Sequence, residues 1–158
     1  LTEKNYEKKV VKAVVEHYKL NFLPILPGMI AQINAFISST SGVRVLAAYK
    51  RVSNFLSSNK EILDFEKEFS EERAAEEDKL MQKQLMLTRE QVEDSLKRKD
   101  FKTALFELNS IVASVNHFLD NVQVNCEDNE LRISRYSLLY QIQETMDRVV
   151  VFSELDKK

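Results

Sequence analysis

The stretch "EDNELRISRYSLLYQIQ", Glu127 to Gln143, sets the problem of this chain. At 100° per residue, Leu131, Leu138, Leu139, Ile142, Met146, Val149 and Val150 share about 120° of arc, the apolar stripe of an amphipathic helix. Arg135 falls inside that arc and Arg132 lies on its edge. A guanidinium aligned with a core stripe is costly to bury without a partner. Either the first turns of this helix run past the closed core to the mouth of a groove, or an acceptor is built in. A carboxylate such as Asp120 or Asp128 is the structural candidate for that acceptor, as are the last carbonyls of a neighbouring helix.

The rest of the sequence has the same helical character. The 158 residues include 44% hydrophobic and 30% charged residues but only two Gly and two Pro, a composition for long helices with few tight turns. A chain of this length buries enough surface for one core. The expected fold is therefore a single all-α domain, a bundle of about six helices. The most apolar stretch, "FLPILPGMIAQINAFI" from Phe22 to Ile37, is interrupted by Pro24, Pro27, Gly28, Gln32 and Asn34 and is not expected to span a membrane. Cys126 has no second cysteine to pair with, consistent with a reducing cytoplasm. The first residue is Leu1, with no leader pattern after it, so the chain is expected to be a piece of a larger protein.

Element by element, Tyr6, Val10, Val14 and Tyr18 give a first helix over about Glu3 to Lys19. "LPILPG" is read as a rigid connector, with Pro27 opening a second helix that carries Ile30, Ile33, Phe36 and Ile37 inward. "SSTSG" closes it. A third helix, Val43 to Ser58, packs through Val45, Ala48, Tyr49, Val52, Phe55 and Leu56. Its opposite side carries Lys50, Arg51, Asn54 and Ser58. A short acidic helix is expected near Asn59 to Phe69, then a long one capped by Ser70 and reaching Lys97, with a possible break near Thr88. Asp100 is expected to cap a helix running to Asn121, with Phe101, Leu105, Leu108, Val112, Val115 and Leu119 inward. "NVQVNCEDN" is an extended connector, and Asp128 or Asn125 caps the last helix, which ends near Phe152.

The formal charge of −2 conceals an uneven distribution. Between Glu61 and Asp78, nine acidic residues face two basic ones, a local −7, and the remainder of the chain carries 21 basic and 16 acidic residues, or +5. The acidic run reads as a solvated helix face. No catalytic constellation is visible: Gly28 and Gly42 stand alone, no Gly-x-Ser-x-Gly elbow occurs, and no Cys and His cluster has metal-ligand spacing. His17 and His117 read as ordinary, partly buried histidines.

Three pieces in order carry a family resemblance: "LAAYKRVSNFL" (Leu46 to Leu56), "DFKTALFEL…VNHFLDNVQV" (Asp100 to Val124) and "DNELRISRYSLL" (Asp128 to Leu139). Together the chain resembles the C-terminal anticodon-binding domain of the beta chain of bacterial two-chain glycyl-tRNA synthetases, of the DALR helical-bundle group. It departs from the pattern at "NELR" (Asn129 to Arg132), at Ser134, and at Tyr49 and Tyr136. The resemblance implies a non-catalytic module for the tRNA-Gly anticodon loop, with Lys50, Arg51, Asn54, Arg132, Arg135 and Tyr136 as RNA-binding residues. Unpaired bases are held by stacking on planar groups and by edge hydrogen bonds, with cations on the phosphates. Tyr136 and Tyr140, spaced by four near an apolar stripe, also fit a packed edge of the core. The parent enzyme would use ATP and magnesium, with its adenylate-forming centre in a separate alpha chain of a heterotetramer. No cofactor or metal, and neither membrane nor DNA, is expected for this piece. The alternatives are a helical scaffold that docks a protein, and the same domain from an arginyl-type synthetase.

Overall fold

In a computed structural model, the described residues are 8–20, 28–58, 72 and 74–155. They form α1 (Lys8–Leu20), α2 (Met29–Ser38), α3 (Thr40–Ser57), α4 (Glu76–Lys97), α5 (Phe101–Glu107), a 3-10 turn (Leu108–Ile111), α6 (Val112–Asn121), α7 (Asn129–Asp147) and α8 (Phe152–Leu155). There is no strand among the described residues, as the composition predicts. The connector ahead of Gly28, the role of Pro27, the acidic helix near Asn59 to Phe69 and the Ser70 cap lie outside the described residues.

α2 and α3 meet at a corner dictated by two small residues. Ser39 caps α3: its Oγ accepts from the Gly42 N–H at 3.0 Å and donates to the Phe36 carbonyl at 2.6 Å. This starts α3 at Thr40, three residues before the expected Val43. A Cβ on Gly42 would lie 1.7 Å from the Phe36 carbonyl oxygen, so the close approach of the two backbones requires glycine.

α4 starts at Glu76, where the Asp78 carboxylate accepts from the Ala75 N–H at 2.8 Å. The helix reaches Lys97 as expected, without the break that the sequence allows near Thr88. The Thr88 hydroxyl is buried between Gln84 (3.0 Å) and Ser110 (3.2 Å), so α4 runs through it unbroken. Conversely, the single helix expected from Phe101 to Asn121 is interrupted at Leu108–Ile111, although Asp100 caps it as predicted by accepting from Thr103 N at 3.2 Å. Ser110 Oγ donates to the Glu107 carbonyl at 2.6 Å, a local bond that favours the tighter 3-10 turn there.

α7 is capped by Asp128, whose carboxylate accepts from Glu130 N and Leu131 N. It ends at Asp147 rather than Phe152, because Asp147 turns to accept the Phe152 N–H at 3.2 Å and so starts α8. α1 closes over this turn: Tyr18 donates to the Val149 carbonyl at 3.0 Å and His17 Nε2 to the Arg148 carbonyl at 2.8 Å. His17 is buried, which lowers its pKa by desolvation against the opposing pull of that hydrogen bond. His117, expected to be partly buried, is exposed and stands beside Asn121.

Two pairings position everything that follows. Tyr49 Oη donates to Asp147 and Phe55 packs on Tyr136, so α3 and α7 run antiparallel. Asp78 with Arg135, Arg89 with Gln141 and Glu93 with Arg148 make α4 and α7 run in the same direction. The core between them includes Phe36, Leu85, Leu105, Phe118, Leu139 and Phe152, each fully buried and each stabilising the fold by about 1.5–3 kcal/mol relative to exposure.

Candidate nucleic-acid interface

The arginines of α7 part company one turn apart. Arg135 is buried, and its Nε and Nη2 meet the two oxygens of Asp78 at 3.0 and 3.2 Å, while Nη1 donates to the Gln123 carbonyl at 2.7 Å. Asp78 is itself fully buried. This corrects the expectation for Arg135. Its three hydrogen bonds are satisfied inside the protein, so it is a structural strut between α4, the connector before α7, and α7 itself, and it is not on an RNA-facing surface. The acceptor is a residue of the acidic run, fifty-seven positions away in sequence.

Arg132 is different. It is half-buried, makes no ion pair among the described residues, and donates through Nη2 to Asn129 on the preceding turn. Neither Asp120 nor Asp128 serves it through any described bond. Asp128 caps the helix, and Asp120 belongs to Arg51, whose Nη2 lies 2.9 Å from its carboxylate while Nη1 donates to Asn116 at 3.0 Å. Asn116 and Asp120 sit four apart on the outer face of α6, outside its core stripe. That i,i+4 polar pair was the signal in the sequence for a partner of Arg51.

Lys50, Arg51 and Asn54 are exposed on α3, as their helical spacing predicts. Lys50 makes no ion pair among the described residues, and the Asn54 side chain makes no hydrogen bond among them. Tyr136 is 1% exposed, and its ring lies against Phe55 with centroids 5.3 Å apart. A base cannot stack on it, so its expected role as an open RNA contact is corrected in favour of the packed position. Tyr140, one turn on, is 47% exposed.

The Phe55–Tyr136 contact brings the remaining residues together. Arg51 is one turn before Phe55 on α3, Asn54 is next to it, and Arg132 is one turn before Tyr136 on α7. Because the two helices are antiparallel, the two arginines lie on opposite sides of the ring pair, separated along the helix axes by about 12 Å. Lys50, Arg51 and Asn54 on α3 and Arg132 on α7 thus flank the packed Phe55–Tyr136 pair as a strip of donors and cations. Such a strip of donors and cations can hold acceptor-rich single-stranded nucleotides.

The model of the DALR anticodon binding domain family matches residues 45–150. The chain is 34% identical over 125 residues to the glycine–tRNA ligase beta subunit of Rickettsia africae, covering 78% of this chain and 18% of that protein. It is 29% identical over 158 residues to the same subunit of Nitrosomonas eutropha, covering 98% and 21%, and 32% identical over 123 residues to that of Escherichia coli O1:K1 / APEC, covering 78% and 18%. It thus spans about a fifth of the length of the curated relatives it matches. With the match running from α3 to the turn after α7, and with those helices forming the all-α frame just described, the chain belongs to the DALR anticodon-binding domain family.

Proposed function

We propose that this chain is the anticodon-recognition domain of a glycine–tRNA ligase beta subunit, acting in the cytoplasm on tRNA-Gly. The observation that carries the reading is the bracketing of the Phe55–Tyr136 pair by Arg51 and Arg132, with Lys50 and Asn54 beside them. Arginine supplies donors to the O2 and N3 acceptors of the cytosines in a glycine anticodon, and Asn54 can both donate and accept. In this reading the domain positions the tRNA. ATP, magnesium and the joining of glycine belong to the remainder of the enzyme, including a separate alpha chain.

The test is a fluorescence-anisotropy titration of a stem-loop carrying the glycine anticodon against one with that anticodon replaced, at several salt concentrations. The glycine stem-loop binds more tightly, and Arg51→Ala or Arg132→Ala each weakens it about 5–10-fold and lowers the salt slope by about 1. Equal affinity for the two stem-loops overturns the reading.

A further inference from the structure

At the end of α4 remote from Arg135, the turn into α5 keeps lysines where its backbone favours other residues. α4 closes in a Schellman motif: Lys99 N donates to the Leu96 carbonyl at 3.0 Å and Asp100 N to the Ser95 carbonyl at 2.8 Å. The motif puts Lys99 at φ 60°, and no other non-glycine residue among the described residues has a positive φ. Glycine takes this conformation without steric cost, and a lysine does not. Lys102, three residues on, stands in the first turn of α5, where the helix dipole disfavours a cation. Only Lys97, in the last turn of α4, sits where its helix favours positive charge.

All three lysines are exposed, and none makes an ion pair among the described residues. The acids between and beside them are engaged elsewhere. Asp94 takes Arg98 at 3.1 Å, and the Asp100 carboxylate accepts from the Thr103 N–H and hydroxyl at 3.2 and 2.7 Å. Phe101, buried beside Tyr18 with ring centroids 6.2 Å apart, fixes the corner to the core. A fixed corner thus carries three ammonium groups, two of them at a local cost that glycine at 99 and an acid at 102 would avoid. An ammonium is a point donor that suits phosphate oxygens and carries no means of reading a base edge.

The position of the corner indicates which phosphates. Lys97 lies about 28 Å along α4 from Asp78, whose partner Arg135 is about one turn past Arg132 on α7. The corner is therefore a contact separate from the strip between Arg51 and Arg132. In a hairpin whose loop occupies that strip, what lies beyond the loop is the paired stem, which proteins hold largely through phosphates and 2′-hydroxyls. We propose that Lys97, Lys99 and Lys102 form a phosphate-binding corner for the paired stem of the RNA whose loop the strip holds. The inference rests on the anticodon reading and adds to it a surface outside the residues of that strip.

The test compares Lys97→Gln with Lys102→Gln as a double variant, Lys99→Gly, and a control double variant, Lys79→Gln with Lys83→Gln, which removes equal charge from exposed positions near the start of α4. Each is titrated by anisotropy, across salt, with the glycine stem-loop and with the unpaired loop sequence alone. On the stem-loop, the salt slope falls by about 2 for the corner pair and about 1 for Lys99→Gly, with affinity about 10-fold and 3-fold weaker at low salt. On the loop alone, both stay within about 2-fold of wild type. The melting midpoint of Lys99→Gly does not fall, because glycine suits the turn. An unchanged slope on the stem-loop, an equal loss on the loop alone, or an equal loss for the control pair overturns the corner. Equal wild-type affinity for glycine and replaced-anticodon stem-loops overturns the anticodon reading instead, since the corner is read only from wild type against variant on the stem.

Discussion

Asp78 and Arg135 form a buried bidentate ion pair, with Nε to Oδ1 at 3.0 Å and Nη2 to Oδ2 at 3.2 Å, and the carboxylate also anchors the start of α4 through Ala75 N. Every polar atom of the pair is used, and this is what allows an arginine to stand in the apolar stripe of α7. Removing one partner leaves the other charge buried and uncompensated, a loss of about 3–5 kcal/mol. Asp78→Ala is therefore expected to lower the melting midpoint by roughly 10 °C or more. The double variant Asp78→Leu with Arg135→Met, which buries no charge, is expected to recover most of that. A single variant that melts within about 2 °C of wild type in a calorimetric scan contradicts the buried pair.

The corner between α2 and α3 gives a second, sharper expectation. The atoms nearest a Cβ on Gly42 are the backbone oxygen and carbon of Phe36, at 1.7 and 2.5 Å, and a backbone cannot rotate aside as a side chain can. Gly42→Ala is expected to destabilise by about 3 kcal/mol or more, as a forced backbone displacement does. Ser39→Ala, which removes the cap and the hydroxyl's bond to the Phe36 carbonyl but displaces no backbone, is expected to cost about 1–2 kcal/mol. Urea denaturation of both variants ranks them. A reversed order would mean that the corner relaxes easily and that the cap alone defines it.

How much of this was legible beforehand depended on whether the deciding contact was local. The helical class, the Asp100 and Asp128 caps, and the outward face bearing Lys50, Arg51 and Asn54 follow from spacing within a turn or two, and the structure reproduces them. The misses at Thr88, Arg135 and Asp120 are tertiary, whereas the 3-10 turn after α5, the start of α3 and the end of α7 are set by short-range side-chain bonds that helical periodicity does not report. Thr88 is polar and read as a weak point of its helix until Ser110, twenty-two residues on, takes its hydroxyl. Arg135 carried a correct warning in its position on the stripe, but periodicity cannot say which distant acid answers it. Asp120 was available to either arginine by composition, and only the packing of α3 on α6 assigns it to Arg51.

A pH dependence follows from Asp147 at the α7–α8 turn. Burial raises its pKa from 3.8 to about 6, against the lowering effect of hydrogen bonds from Phe152 N and Tyr49 Oη. Between about pH 4 and 6 the folded state keeps a proton that the unfolded chain has lost, so this group's contribution to stability falls as pH rises through that window. The full change is on the order of 3 kcal/mol. His17 acts with the opposite sign: its lowered pKa means that stability is lost as pH falls below its unfolded value near 6.5. Comparing Asp147→Asn with wild type cancels the histidine. The asparagine keeps an acceptor oxygen and carries no charge, so the variant is expected to be more stable at pH 7 and to lose that advantage by pH 4. A difference that stays constant with pH would mean Asp147 titrates normally.

Arg51 offers a test in which the fold and the interface respond differently to one change. Its ion pair with Asp120 is 2.9 Å long, with the two side chains 43% and 62% exposed, and such surface pairs contribute little to stability. Asp120→Asn is thus expected to shift unfolding free energy by less than about 0.5 kcal/mol. On RNA the effect should be larger. The carboxylate both competes with phosphates for Arg51 and repels them, so its removal frees a cation and takes away a negative charge at the bracketed ring pair. Stem-loop affinity is expected to rise about 3–10-fold at low salt and to converge with wild type as the Debye length shrinks toward 3 Å near 1 M. Affinity that is unchanged or weaker at low salt would place the RNA away from Arg51, because no nucleotide bound at that arginine could be indifferent to a carboxylate 2.9 Å from its guanidinium.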